Sequence, residues 1–144
     1  MRVRNRALVV LLASLLLVAG LHFSTASAAV NDNFNASTTD GCGVADFIDY
    51  GAGAPGGGNN DDYVVIHDYC ADGHGVRAYV SVDGRDSWSW QYNGNGLAGA
   101  PVVWDPFPNV KADQVVYLVV CLVDGSSDPA GSRCGEASRR SADG

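Results

Sequence analysis

The chain has 144 residues, 47% of them hydrophobic, and its nine basic and sixteen acidic side chains give a formal charge of −7. That is enough for one domain with a modest core. The excess of acid repels phosphate backbones and anionic lipid, which argues against nucleic acid and membrane surfaces as partners.

The N-terminus reads as a secretory signal peptide over residues 1–28. Arg2, Arg4 and Arg6 form a basic start, residues 7–21 are almost wholly apolar, and Ala26-Ser27-Ala28 offers small residues for cleavage before Ala29. The apolar run is short for a membrane span. No cysteine follows it for lipidation, the arginines are not adjacent as in a twin-arginine signal, and residues 138–144 carry no hydrophobic tail. The expectation is a secreted, extracellular protein, free of the membrane once cleaved. Loss of three arginines leaves six basic residues against sixteen acids, a mature charge of −10.

Residues 29–41, rich in Asn, Ser and Thr, read as a flexible lead-in. They include the glycosylation sequon Asn35-Ala36-Ser37, relevant only in a host that uses it; the preference for Arg over Lys looks bacterial. Seven short β-type runs follow: residues 44–50, 63–70, 76–82, 87–92, 101–104, 114–123 and 134–139. A glycine-rich loop at 51–60 and the pairs Asp72-Gly73, Asp83-Gly84, Asn93-Gly94 and Asp124-Gly125 supply turn residues that tolerate positive φ. No segment after the leader has a helical apolar period. The pattern predicts an all-β fold over residues 42–140. It is an antiparallel β-sandwich of about seven strands, immunoglobulin-like in size, with residues 141–144 frayed. Residues 114–123 are apolar at both parities, as in a central strand buried on both sides.

Four cysteines in an exported chain read as two disulfides. A metal site is the weaker reading, since no C-x-x-C pair occurs. If residues 44–50 and 63–70 form a hairpin, Cys42 falls opposite Cys70. If residues 114–123 and 134–139 do the same, Cys121 falls opposite Cys134. The expected bridges are therefore Cys42–Cys70 and Cys121–Cys134, each worth about 3 kcal/mol in the chain-entropy picture.

The hairpin from Val76 to Tyr92 admits two registers. A two-residue Asp83-Gly84 turn sets Tyr79 opposite Trp88 and Arg77 opposite Trp90, and builds an outward aromatic platform of the kind that stacks on sugar rings. A three-residue turn sets Ala78 opposite Trp88 and Val76 opposite Trp90, and sends both indoles into the core. The second separates apolar from polar faces more cleanly and buries more ring surface, so it is the expected one.

Sites of chemistry are sparse. His67 lies beside Asp68 in a strand, and His74 lies in an Asp-Gly turn. Neither belongs to a nucleophile–base or metal motif, so no catalytic residue, cofactor or metal is expected. The acidic turns at Asp61-Asp62, Asp83 with Asp86, and Asp124 with Asp128 lack the spacing of a calcium loop. Trp104-Asp105-Pro106-Phe107-Pro108-Asn109 is a proline-stiffened loop. Either Phe107 tucks beneath it or the loop is a preorganised contact surface. The candidate ligand-binding residues are Tyr79, Trp88, Trp90, Trp104 and Phe107.

The runs Tyr69-Cys70-Ala71-Asp72-Gly73-His74-Gly75-Val76-Arg77-Ala78-Tyr79, Trp104-Asp105-Pro106-Phe107-Pro108-Asn109-Val110 and Val120-Cys121-Leu122-Val123-Asp124-Gly125 resemble those of small secreted proteins of filamentous actinobacteria. That resemblance implies no function and no site residue. In size, export and two bridges the chain is also similar to the subtilisin-inhibitor family, but the cysteine-flanked reactive-site pattern of that family is not evident. The expectation is a non-enzymatic extracellular β-sandwich that binds a protein or polysaccharide. The alternatives are a protease inhibitor presenting residues 104–110 and a small hydrolase built on His67 or His74.

Overall fold

The computed structural model describes residues 30–55 and 61–142. The expected signal peptide and part of the glycine-rich loop lie outside them. Among the described residues, eight strands form two four-stranded antiparallel sheets. The first sheet has the order β1 (Phe34–Ser37), β2 (Gly43–Ile48), β3 (Tyr63–Asp68), β6 (Val102–Trp104). The second has the order β5 (Ser89–Asn93), β4 (Gly75–Val82), β7 (Val115–Val123), β8 (Ser132–Arg140). The all-β fold, its two sheets and both disulfides, Cys42–Cys70 and Cys121–Cys134, are as the sequence predicts.

Alternation builds the core. Ala45 and Phe47 of β2 and Val64 and Ile66 of β3 point inward, while Val44, Asp46, Val65 and His67 take the other face. They meet Val76, Ala78 and Val80 of β4 and Val116, Leu118, Val120 and Leu122 of β7. β7 runs between β4 and β8, so a strand apolar at both parities lies in the sheet interior. There its outward Cys121 and Val123 are buried as well.

Three details differ from the sequence expectation. The stretch assigned to a flexible lead-in carries β1, whose Phe34 lies opposite Phe47 and whose ring packs on it at 5.4 Å. Phe34 and Ala36 are few apolar side chains for a strand, but they suffice where a partner strand is in place. Of the stretch expected to fray, residues 143–144 lie outside the described residues, while Ser141 exchanges backbone hydrogen bonds with Asp113 and Gln114 and the Ala142 N–H donates to the Asp32 carboxylate at 2.5 Å. In the first hairpin Val44 lies opposite His67, one residue away from the predicted register. The predicted register would have paired inward Ala45 with outward His67. Burying Ala45 with Ile66 and Phe47 with Val64 settles it. The Cys42–Cys70 bridge then spans the strand ends diagonally. At the other bridge, pairing of β7 with β8 shifts between Val120 and Leu122. Arg133, at φ 51°, takes up the extra residue of a β-bulge beside Cys134.

A candidate binding face on the second sheet

The hairpin of β4 and β5 takes neither tight turn. Tyr79 lies opposite Trp90 and Arg77 opposite Tyr92, so the aromatic residues of β5 point outward. The expectation that Trp88 and Trp90 enter the core is thereby overturned: Trp90 is 51% exposed and Trp88 is half-buried in the loop before β5. The reason lies in the turn. The Asp83 carboxylate accepts from the Val115 N–H (2.8 Å) and the Gln114 amide (2.6 Å), so it fastens the start of β7 instead of tightening a hairpin. These donors hold the Asp83 carboxyl below the ordinary range. The chain then needs a wider loop, in which Ser81 Oγ donates to the Gly84 carbonyl and the Trp88 indole N–H donates to the Arg85 carbonyl (2.7 Å). Its parity is that of the two-residue turn.

With the rings outside, the inner side of β5 is polar. Asn93 is buried, its amide donates to the Ile66 carbonyl of the facing sheet (2.8 Å), and its side-chain oxygen accepts from the Asn95 N–H. An edge strand at the rim of the sandwich thus satisfies a buried carbonyl where the sequence pattern placed indoles.

Arg77 organises the outer face. It is 5% exposed although it points away from the core. Its guanidinium donates to the carbonyls of Gly125, Ser126 and Asp128 in the β7–β8 loop and to the Tyr79 hydroxyl. The same group lies 4.8 Å from the Trp90 ring centroid, a cation–π stack that holds the indole flat over a fixed base. The loop that holds Arg77 is itself tied down. His74 pairs with Asp124 at 2.6 Å, and the Asp128 carboxylate accepts from the Ala130 and Asp124 N–H groups. Those bonds keep the Asp128 carboxyl below the ordinary range.

Two further aromatics complete the face. The Tyr92 ring lies over Gly75 and Gly94, where a Cβ on either glycine would collide with it. Glycine at both positions is what lets the ring lie flat on the sheet. On the far side Arg85 stacks over Tyr117 at 4.9 Å and pairs with Glu136 at 3.2 Å. Trp90, Tyr79 and Tyr92 therefore share one side of the second sheet with Tyr117 and the guanidinium groups of Arg77 and Arg85.

The remaining candidates lie apart. Trp104 and Phe107 pack against the core, Phe107 at 5.9 Å from Phe47. His67 lies on the outer face of the first sheet, paired with Asp46 at 3.0 Å and stacked on Tyr69, which together fix the imidazole. The only described trio of His, Cys, Asp or Glu within metal-binding distance is Cys42, Cys70 and Asp72, and both its sulfurs are spent in the disulfide. Arg77, Tyr92, Tyr117 and Arg85 were not among the sequence candidates. Arg77-Tyr79 alternating opposite Trp90-Tyr92 is the signal that contained four of the face's residues, readable once the parity is known.

The class so defined is an acidic, doubly disulfide-bonded β-sandwich with an aromatic–arginine face. Comparison with protein-family models, with characterised proteins and with solved structures finds no match to the chain.

Proposed function

We propose that this chain is a secreted, non-catalytic module that binds an extracellular polysaccharide on the outer face of its second sheet. One observation carries the reading. Trp90 is half exposed, and one side of its ring is already stacked on a buried, carbonyl-anchored guanidinium. A ring held flat before the ligand arrives loses little freedom on binding, and a sugar ring offers a flat apolar side to match it. Tyr79 and Tyr92 flank it with hydroxyls for polar contacts. The acidity of the chain favours a neutral glycan over a polyanionic one.

The inhibitor alternative needs the 104–110 loop to offer Phe107 to a protease, and Phe107 packs on Phe47 instead. The hydrolase alternative needs a nucleophile at His67 or His74.

The test is co-sedimentation of the secreted protein with insoluble neutral polysaccharides and with cell-wall preparations, in wild type and Trp90→Ala. Binding to at least one neutral glycan, weakened tenfold or more in the variant, is the expected result. Undiminished binding by Trp90→Ala, or no binding to any glycan, overturns the reading.

A further inference from the structure

A group of acids gathers at the end of the sandwich where both terminal segments arrive. Asp32 lies in the N-terminal segment, Asp49 just after β2 and Asp62 just before β3, and they are 8%, 8% and 2% exposed. Each carboxylate serves a different piece of chain. Asp62 accepts from the Val110 N–H, Asp49 from the Asp32 N–H (3.3 Å), and Asp32 from the Ala142 N–H (2.5 Å). Asp49 lies beside Asp62 in this cluster, and two neighbouring carboxyl groups with so little access to water are held most easily with one proton between them.

We propose that Asp49 and Asp62 form a proton-dependent clasp that fastens the N-terminal segment, the residues around Val110 and, through Asp32, the segment reaching Ala142 to the sandwich. It is closed while the pair holds one proton and loosened when that proton passes to solvent. Loss of the proton leaves two carboxylates side by side with little water to screen them. The groups facing Asp62 add to this. Burial, then Asp49 and Asp61 beside it, push its carboxyl up to about 7, against the opposing pull of the Val110 N–H. On the neighbouring segments the basic side chains are Lys111, next to Val110, with Arg139 and Arg140, whose guanidinium groups donate to the Asn33 and Asp113 carbonyls.

The sign follows from linkage. A carboxyl raised in the folded state holds a proton that the unfolded chain releases near the ordinary value of 3.8. Folding therefore binds a proton between about pH 4 and 7, and stability falls as pH rises through that window. Asp40, Asp83 and Asp128, held below the ordinary range, stay ionised throughout it. This is the reverse of the behaviour of a domain whose carboxylates are all salt-bridged.

The experiment is thermal unfolding of the mature protein at pH 5 and pH 8, in wild type, Asp62→Asn and Asp49→Asn. Asn keeps an acceptor for the Val110 N–H and cannot ionise. Wild type should melt at least about 5 °C higher at pH 5. Either variant should flatten that difference and melt above wild type at pH 8. His67 and His74 are present in all three proteins, so the change in slope isolates the pair. Amide protection of Val110 and Ala142 in wild type should fall between pH 5 and 8 relative to that of core β7. A wild-type melting point equal or higher at pH 8, or the same slope in both variants, overturns the clasp.

Discussion

Two regions rich in aromatic residues met the same solvent and went opposite ways. The proline-stiffened loop after β6 folds Phe107 inward onto Phe47, with Trp104 packed beside the core. The β4–β5 hairpin turns Trp90 and Tyr92 outward onto a buried arginine. By hydrophobicity alone Trp90 has as much to gain from burial as Phe107. The difference is in the backbone that carries each ring. A loop crossing the end of a sandwich can bend to deliver a ring to the core. A strand cannot, because its alternation is common to every residue and is set where it joins its neighbour. Once Asp83 is committed to Val115 and Gln114, the parity of β5 is decided. Arg77 then makes an outward indole tolerable by covering one of its sides.

The sharpest way to break this comparison is Phe107→Ala. A ring packed on the core should cost about 3 kcal/mol on truncation, read as a lower denaturant midpoint, with polysaccharide binding unchanged. A cost under 1 kcal/mol would show Phe107 to be a surface group like Trp90. Arg77→Met comes next. It keeps the aliphatic stem but removes the guanidinium that backs the Trp90 ring, and it leaves the carbonyls of Gly125, Ser126 and Asp128 without their donor. A loss of about 2 kcal/mol is expected, with a red-shifted Trp90 emission as the indole comes free. Unchanged stability and emission would mean that the guanidinium is not the base of the face. Trp90→Ala is expected to cost least, about 1 kcal/mol, while removing ligand binding. A loss of 3–5 kcal/mol would instead mark a core tryptophan. The order Phe107, Arg77, Trp90 in stability, and its reversal in binding, is what separates scaffold from face.

Much of the scaffold was legible in the chain. Period-two runs, punctuated by Asp-Gly and Asn-Gly pairs, reveal an all-β sandwich, since no other element uses that period. The unbroken apolar stretch of β7 marks an interior strand for the same reason. Both bridges follow from hairpin adjacency, which survives a register error of one residue because a disulfide reaches diagonal as well as opposed positions. β1 was hidden because its four residues, Phe34–Ser37, hold too few apolar side chains to announce a strand; pairing with β2 makes it one.

The face and the clasp were not legible, and the reason is common to both. Asp83-Gly84 has the local chemistry of a tight turn, and only the arrival of Gln114 and Val115, more than thirty residues on, gives Asp83 other work. Arg77 has the local look of a solvated strand residue, and only the β7–β8 loop, some fifty residues away, buries it. Asp32, Asp49 and Asp62 each look like ordinary turn acids until two hairpins and both terminal segments bring them together. Periodicity and turn chemistry are properties of neighbouring residues, so the sequence by itself determined the class of fold, all its strands but β1, and its crosslinks. Which side of an edge strand faces water, and which charges lose it, depends on partners distant in the chain, and only the packing of the two sheets decided that.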